Sequence, residues 1–116
     1  NEQPLHIYDP GITARYFKVQ LFEDRILVFT REKEEVEIFL SELVRVEWRV
    51  EPNQPMINRI FKKRWLDDFE LGVIFKRIGV RYFTVGCVEK HLLHRIVKLI
   101  NKQIKIGLNK AEIGLN

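Results

Sequence analysis

Cysteine and serine each occur once in this sequence, and their scarcity excludes several kinds of chemistry. Cys87 has no second cysteine with which to form an internal disulfide, and a free thiol favours a reducing compartment, so we expect a cytoplasmic protein. Ser41 is the only serine, and the sequence offers it no base or orienting group. We interpret it as a turn residue and predict that the chain is not an enzyme.

Glycine, proline and long apolar runs are also sparse. None of the six glycines opens a glycine-rich phosphate loop, so we expect no nucleotide and no other cofactor. The apolar runs are too short for a membrane-spanning helix, and residues 1–20 lack the order of a secretion signal. The 116 residues therefore predict one soluble domain over residues 1–106, with an N-terminal arm at 1–11 and a tail at 107–116.

Alternation of apolar and polar residues predicts six or seven antiparallel strands. The clearest alternation places Val44, Val46, Trp48 and Val50 on the buried face of one strand, and Gly72 is a candidate for a bulge or a close approach in another. The strand with Gly72 is expected at 69–75 after a turn at 67–68, and the other strands are expected at 17–21, 25–30, 36–40, 57–65 and 80–85. Residues 5–8 of the arm are a candidate for an additional short edge strand.

The period changes after Gly86. Leu93, Val97, Ile100 and Ile104 recur at spacings of three and four, which predicts one amphipathic helix over residues 88–105. Such a helix must bury its apolar face against the strands to persist. The order of elements therefore indicates an α+β domain, in which a curled antiparallel sheet or partly open barrel is capped by one C-terminal helix.

Three segments of the sequence resemble a pleckstrin-homology-like (PH-like) domain of the small bacterial type. They are RYFKVQLFEDRILVF, EVEIFLSELVRVEW, and RYFTVG followed by VEKHLLHRIVKLI, and the resemblance covers roughly residues 13–106. It consists of apolar spacing and contains no catalytic motif. The resemblance implies a curled sheet with a capping helix, and it implies scaffold or oligomer functions of the kind associated with bacterial relatives of this fold.

Charge is distributed unevenly between the two halves of the chain. Residues 1–55 hold 7 Lys and Arg against 11 Asp and Glu, a net charge of −4, whereas residues 56–116 hold 13 against 5, a net charge of +8. Acidic and basic strands that become neighbours would neutralise one another. The alternatives are a basic face for an anionic partner and a head-to-tail contact between copies of the chain.

The stretch INRIFKKRWL at residues 57–66 has four cations among apolar residues. Lysine protecting an edge strand is the simplest interpretation. The alternative is a basic face that binds nucleic acid backbone, anionic lipid or an acidic protein. The residues of this predicted basic face are Arg59, Lys62, Lys63, Arg64, Trp65, Lys76, Arg77 and Arg81.

Cys87, His91 and His94 are the one group with the spacing of metal ligands, because positions i, i+4 and i+7 share a side of a helix. No fourth ligand is apparent and exposed helix histidines are common, so our prediction is that no metal is bound. The function predicted from the sequence is a binding or assembly module for protein contacts, including self-association into a homo-oligomer. The alternative is an anion-binding module that uses the predicted basic face; no small-molecule substrate is expected.

Overall fold

Strands and one long helix form the fold in the computed structural model, which describes residues 2–11, 16–51 and 66–114. A 3₁₀ turn, Leu40–Glu42, joins the fourth strand to the fifth, and helix α1 spans Lys90–Gly114. The strands are β1 (His6–Tyr8), β2 (Lys18–Leu21), β3 (Arg25–Phe29), β4 (Glu35–Phe39), β5 (Leu43–Val50), β6 (Leu66–Phe75) and β7 (Gly79–Glu89).

The strands belong to two antiparallel sheets, so the α+β class is confirmed. Strands β1 to β4 form one sheet in sequence order, and β5 to β7 form the other. The described strands form two separate sheets and no closed barrel, which corrects the single curled sheet expected from the sequence. The change of sheet occurs at the 3₁₀ turn. The Leu40 N–H donates to Asp24 O in the β2–β3 turn of the first sheet, and Glu42 O accepts from the Lys76 N–H in the β6–β7 turn of the second.

One hydrophobic core lies between the sheets and the helix. The helix contributes the predicted stripe Leu93, Val97, Ile100 and Ile104, all of them buried. The sheets contribute alternate residues of their strands, because successive strand side chains point to opposite faces. From the sheets, the largest fully buried side chains are Val19, Leu21, Ile26, Val28, Leu43, Val46, Phe69, Leu71 and Val73, and Phe17, just before β2, is buried with them.

Strand β5 departs from the alternation that its sequence predicts. Val46 is buried, but Val44 and Val50 are exposed, and Trp48 is only partly covered. The pairing of β5 with β6 shifts register between Leu43 and Arg45, so Val44 occupies a bulge and turns outward. The prediction that Val44 and Val50 belong to the core was therefore wrong.

The two longest strands extend beyond their predicted ends. The turn expected at 67–68 lies within β6, where Asp67 pairs with Val88 and Asp68 pairs with Cys87. Strand β7 continues to Glu89 because Gly86, at φ +107°, accommodates the register shift opposite Phe69 and Glu70. The strand predicted at 57–65 lies outside the described residues.

Helix α1 starts and ends later than its apolar pattern predicts. It begins at Lys90, because residues 88 and 89 still pair with β6, and it continues to Gly114 through the predicted tail. Residues 105–111 are all exposed, so this last part of the helix projects beyond the core. Within the described residues, no helix combines the length and the apolarity that crossing a membrane requires.

Candidate binding surfaces

The predicted basic face is described only in part. Lys76 and Arg77 lie in the turn between β6 and β7, and Arg81 lies in β7 with its guanidinium carbon 4.5 Å from the centre of the Phe83 ring. The described residues therefore place three of its cations on one hairpin. The other members, Arg59, Lys62, Lys63, Arg64 and Trp65, lie outside the described residues, and the face as a whole stays a prediction.

The predicted metal-ligand group loses its helical spacing. Cys87 lies in β7, before the helix begins, and its side chain is outside the part that the structure describes. The imidazole of His91 lies 3.4 Å from a Glu89 carboxylate oxygen, whereas His94 Nδ1 accepts a 3.1 Å hydrogen bond from Trp48 Nε1. Among the described side chains, no group of three His, Cys, Asp or Glu residues could hold a metal ion.

The solvent side of helix α1 has a row of cations, which we call the cationic face: Arg95, Lys98, Lys102 and Lys105. All four side chains are exposed. They follow one another at spacings of three or four residues, which places them on one side of a helix with 3.6 residues per turn. This side is opposite the buried stripe, so packing of the apolar residues fixes the direction in which the cations point.

Among the side chains that the structure describes, no carboxylate neutralises the cationic face. Residues 90–111 include six Lys and Arg but no Asp or Glu. Within the described part of the chain, none of the four cations makes a hydrogen bond or an ion pair. The other helix cations have contacts: Lys90 Nζ lies 5.0 Å from the centre of the Trp48 ring, and Lys110 pairs with Glu23 at 2.7 Å. Like charges at these helical spacings repel one another, by about 0.2–0.5 kcal/mol for each pair.

The sequence analysis did not identify the cationic face. It noted the helix cations only as polar residues opposite the apolar stripe, and it placed the basic surface at residues 59–81. The signal was nevertheless present in the sequence, as a run of 22 residues, 90–111, without one acidic residue. A solvated helix usually interleaves charges of both signs, so this absence makes the cationic face a candidate binding surface.

The opposite charge is concentrated at the turn between β3 and β4, where Glu32, Glu34 and Glu35 form what we call the acidic tip. The three side chains are exposed, and within the described residues none has an ion-pair partner. The neighbouring Lys33 does not neutralise them in an ion pair, because its Nζ lies 4.5 Å from the centre of the Tyr16 ring. Arg31, in the same turn, also makes no ion pair within the described residues, so the tip holds three unpaired carboxylates and residues 31–35 have a net charge of −1.

Backbone hydrogen bonds hold the acidic tip in a defined conformation. The Thr30 N–H donates to Glu34 O at 2.8 Å, and the Lys33 N–H donates to Thr30 O at 3.0 Å. The Glu34 N–H donates to Thr30 Oγ1 at 3.1 Å, and Thr30 is itself buried. Lys33 adopts φ +66°, the left-handed conformation that closes a tight hairpin of this kind. The acidic tip is thus presented on an ordered turn.

The cationic face and the acidic tip lie at different edges of the molecule. Helix α1 packs beside β1 and β5, whereas β4 is the opposite edge strand of the sheet that begins with β1. Helix α1 also packs on the 3₁₀ turn that follows β4, but the acidic tip lies at the other end of β4, about 16 Å away at the usual rise per strand residue. Within the described residues, no ion pair joins the two surfaces in one molecule.

The free edge of β5 is closed by the helix. Asn101 Oδ1 accepts from the Val46 N–H at 2.8 Å, and Asn101 Nδ2 donates to Val46 O at 3.0 Å. One amide side chain thus satisfies both backbone groups that an added strand would otherwise bind at this position. Trp48, further along β5, contacts His94 and Phe69 with edge-to-face geometry. Helix α1 therefore protects this edge from pairing with another strand.

A groove of about 720 Å³ lies beneath the projecting end of the helix. Its apolar lining includes Phe39, Ile106 and Leu108, and the helix is held over it by Gln103 Nε2, which donates to Glu23 O at 3.0 Å. Many of its charged groups pair internally. Arg25 contacts carboxylates of Glu2, Asp24 and Glu37. Its hydrogen bond to Glu2, and to a smaller extent its hydrogen bond to Asp24, raises the pKa of the Arg25 guanidinium above the ordinary value.

Comparison with known proteins gives no relative for this chain. No protein-family model matches it, and neither a curated protein nor a solved structure does so. The described surfaces themselves are therefore the basis for a functional proposal.

Proposed function

We propose that the chain is a non-catalytic binding module whose cationic face binds an acidic surface of a protein. The supporting observation is the row of four exposed cations on α1, none of which has an acidic partner within the described residues. Their mutual repulsion is a cost to the free protein, and an acidic partner would remove it. The same charges would accelerate association by attracting that partner at low ionic strength.

A protein partner fits the surroundings of the cationic face better than a polyphosphate does. Leu92 and Ile106 lie on the same helix beside the cations, and their side chains are 40% and 36% exposed. Apolar contacts of this kind stabilise the centre of a protein interface, whereas a phosphate backbone offers them no favourable surface. The face spans about 15 Å from Arg95 to Lys105 at the standard helical rise, a length that suits one loop or turn of a partner.

We further propose that the fold is PH-like, as the sequence resemblance implies. Sheets of four and three antiparallel strands with one C-terminal helix support this assignment. The helix packs beside both sheets and covers the edges of β1 and β5, as a capping helix would. A binding role needs no catalytic group, and Ser41 has no hydrogen bond to a base in the part of the chain that the structure describes.

The binding proposal is tested with a defined acidic polypeptide. The full chain is titrated with poly-L-glutamate at low ionic strength, and the titration is repeated at high salt. We expect binding that weakens steeply with salt, and a loss of at least tenfold in affinity for the variant K98E/K102E. The matched variant K76E/R77E makes the same change in net charge on the β6–β7 turn and should retain most of the affinity. Absence of binding at low salt would contradict the proposal.

The alternative function is anion binding at the predicted basic face, and the described cations of the β6–β7 hairpin favour it. The same variants decide between the two proposals when duplex DNA and phosphatidylserine vesicles replace the polypeptide. Binding to DNA or vesicles that is lost in K76E/R77E, with no binding to poly-L-glutamate, would select the alternative. If K98E/K102E alone abolished binding to duplex DNA, the cationic face would be the anion-binding surface and its partner a nucleic acid.

A further inference from the structure

We propose that the acidic surface bound by the cationic face is the acidic tip of a second copy of this chain. This inference rests on the proposed function, because it names the partner of the same face. Each copy would use Arg95, Lys98, Lys102 and Lys105 to bind the tip of one neighbour and would offer its own tip to another. The resulting contact is head-to-tail.

The first argument is complementarity between groups that are unpaired in a single copy. The face has four cations with no carboxylate partner, and the tip has three carboxylates with no cationic partner, all within the described residues. Both sets are exposed, and each sits on an ordered element whose direction is fixed by buried residues or backbone hydrogen bonds. Preorganised charges of opposite sign favour association because little conformational entropy is lost when they meet.

The second argument is that one molecule cannot make this contact with itself. The helix packs beside β1, and the tip belongs to the far edge of the same sheet. The tip lies one strand length, about 16 Å, from the 3₁₀ turn on which α1 packs, several times the distance of a salt bridge. We therefore place the contact between copies, which makes the uneven charge of the two halves of the chain a property of assembly.

The free edge of β4 adds acceptors to the acidic tip. Thr30 and Glu34 form a hydrogen-bonded pair, so the even-numbered residues of β4 direct their backbone groups towards β3. The odd-numbered residues, Glu35, Glu37 and Phe39, direct theirs to the free edge of the described sheet. Their carbonyl oxygens can accept hydrogen bonds from Lys and Arg, which donate only.

The contact joins two different surfaces, so it does not close on itself as a two-fold dimer does. A head-to-tail contact forms rings where the rotation between copies closes and open chains where it does not. Exposed ion pairs contribute little individually and are screened by salt. We therefore expect weak, concentration-dependent and salt-sensitive self-association.

Charge reversal tests this inference by sedimentation velocity of the full chain over a range of concentrations. At about 0.01 M ionic strength, where the Debye length is about 30 Å, the wild-type sedimentation coefficient should rise with concentration. It should return to the monomer value at about 1 M salt, where the Debye length is about 3 Å. The variants K98E/K102E and E34K/E35K should each remain monomeric, while K76E/R77E should associate like the wild type.

Mixing the two reversed variants gives the decisive result. The acidic helix of K98E/K102E is complementary to the basic tip of E34K/E35K, so an equimolar mixture should associate although neither variant does so alone. A chain with all four substitutions should associate with itself. Circular dichroism spectra that match the wild type would confirm that each variant is folded. A variant that is not folded is replaced by the corresponding Gln substitutions. These remove the charges without reversing them and should weaken association.

A wild-type chain that stays monomeric at low ionic strength would overturn the inference. So would association that E34K/E35K leaves unchanged, or a mixture of the reversed variants that does not associate. Failure of the proposed function is distinguishable from these outcomes. A monomeric chain that still binds poly-L-glutamate through Lys98 and Lys102 would keep the binding module and reject only the second copy as its partner.

Discussion

Tyr8 has a hydroxyl group in the core that meets no hydrogen-bond partner among the described residues. The residue is 5% exposed, and its ring makes an edge-to-face contact with Phe17 at 6.3 Å between centroids. A buried unsatisfied hydroxyl costs about 1–3 kcal/mol. We expect Tyr8→Phe, which keeps the ring contact, to raise the free energy of unfolding by about 1 kcal/mol. Urea unfolding at pH 7 measures this change; a loss of stability would mean that the hydroxyl has a partner.

The same hydroxyl predicts a loss of stability in alkali. Burial raises the pKa of Tyr8 above its ordinary value, so the folded chain keeps the proton at a pH where the unfolded chain releases it. The stability that the protonated, buried hydroxyl contributes is fully present below the pKa of an unfolded tyrosine, about 10. It is lost as the pH rises above that value. Urea unfolding at pH 7 and at pH 11 should therefore show a smaller alkaline loss for Tyr8→Phe than for the wild type. Equal losses would contradict the assignment to Tyr8.

Gly72 leaves space for the ring of Tyr82 on the outer face of the second sheet. A Cβ at Gly72 would lie 2.9 Å from Tyr82 Cε1 and 3.1 Å from Glu47 Cγ. The ring is also held by Arg49, whose guanidinium carbon is 3.5 Å from the ring centre. We expect Gly72→Ala to lower the free energy of unfolding by about 1 kcal/mol, because the ring must shift. Thermal unfolding measures the loss, and Tyr82→Thr in the same chain should recover part of it.

At the scale of the element, Gly107 differs from Gly72 because it has room for a side chain. It lies within helix α1, and a Cβ there would meet no atom within 4 Å. Gly107→Ala should raise helix content and increase the free energy of unfolding by up to about 1 kcal/mol, because glycine is a poor helix former. Circular dichroism at 222 nm and urea unfolding measure both changes. No gain in helix content would contradict a helix that continues through the predicted tail.

Asn101 joins two elements, since its side chain binds both backbone groups of Val46 in β5. Asn101→Ala should lower the free energy of unfolding by about 2 kcal/mol, because two partly buried backbone groups lose their partner. Asn109→Ala, an exposed position on the same helix, is the matched control and should have little effect. Asn101→Asp should give an intermediate loss, since a carboxylate can accept from the N–H but cannot donate to the carbonyl. Equal stability of the Ala variant and the wild type would contradict this role.

The sequence predicted elements better than their ends. The apolar stripe of α1, including Leu93 and Ile100, was read correctly because a buried helix face repeats at 3.6 residues. Val44 was assigned to the core because simple alternation does not reveal a bulge. The ends of β6 and β7 were misplaced for a similar reason, since pairing between Asp68 and Cys87 decides them and depends on residues distant in sequence.

At the scale of the whole molecule, the sequence showed the net charge of each half of the chain but not where the charges lie on the surface. The contrast between an acidic first half and a basic second half is visible in the sequence, but the position of each charge depends on how strands and helix pack. Glu32 and Lys102 lie apart in one molecule because α1 packs beside β1 and on the 3₁₀ turn, at the end of β4 that is opposite the acidic tip. The division into two sheets was missed because the sequence indicates a break between strands near Leu40–Glu42 but does not show whether the next strand pairs within the same sheet.

The most direct measurement of the central claim is a dilution series at low ionic strength, followed by two-dimensional amide NMR spectroscopy of the wild-type chain. If the cationic face of one copy contacts the acidic tip of another, dilution should shift the amide resonances of residues 31–37 and of the solvent side of α1 between Arg95 and Lys105. High salt should reproduce the dilute spectrum. Resonances that stay fixed on dilution, or that move only in the β6–β7 hairpin around Lys76 and Arg77, would contradict the account.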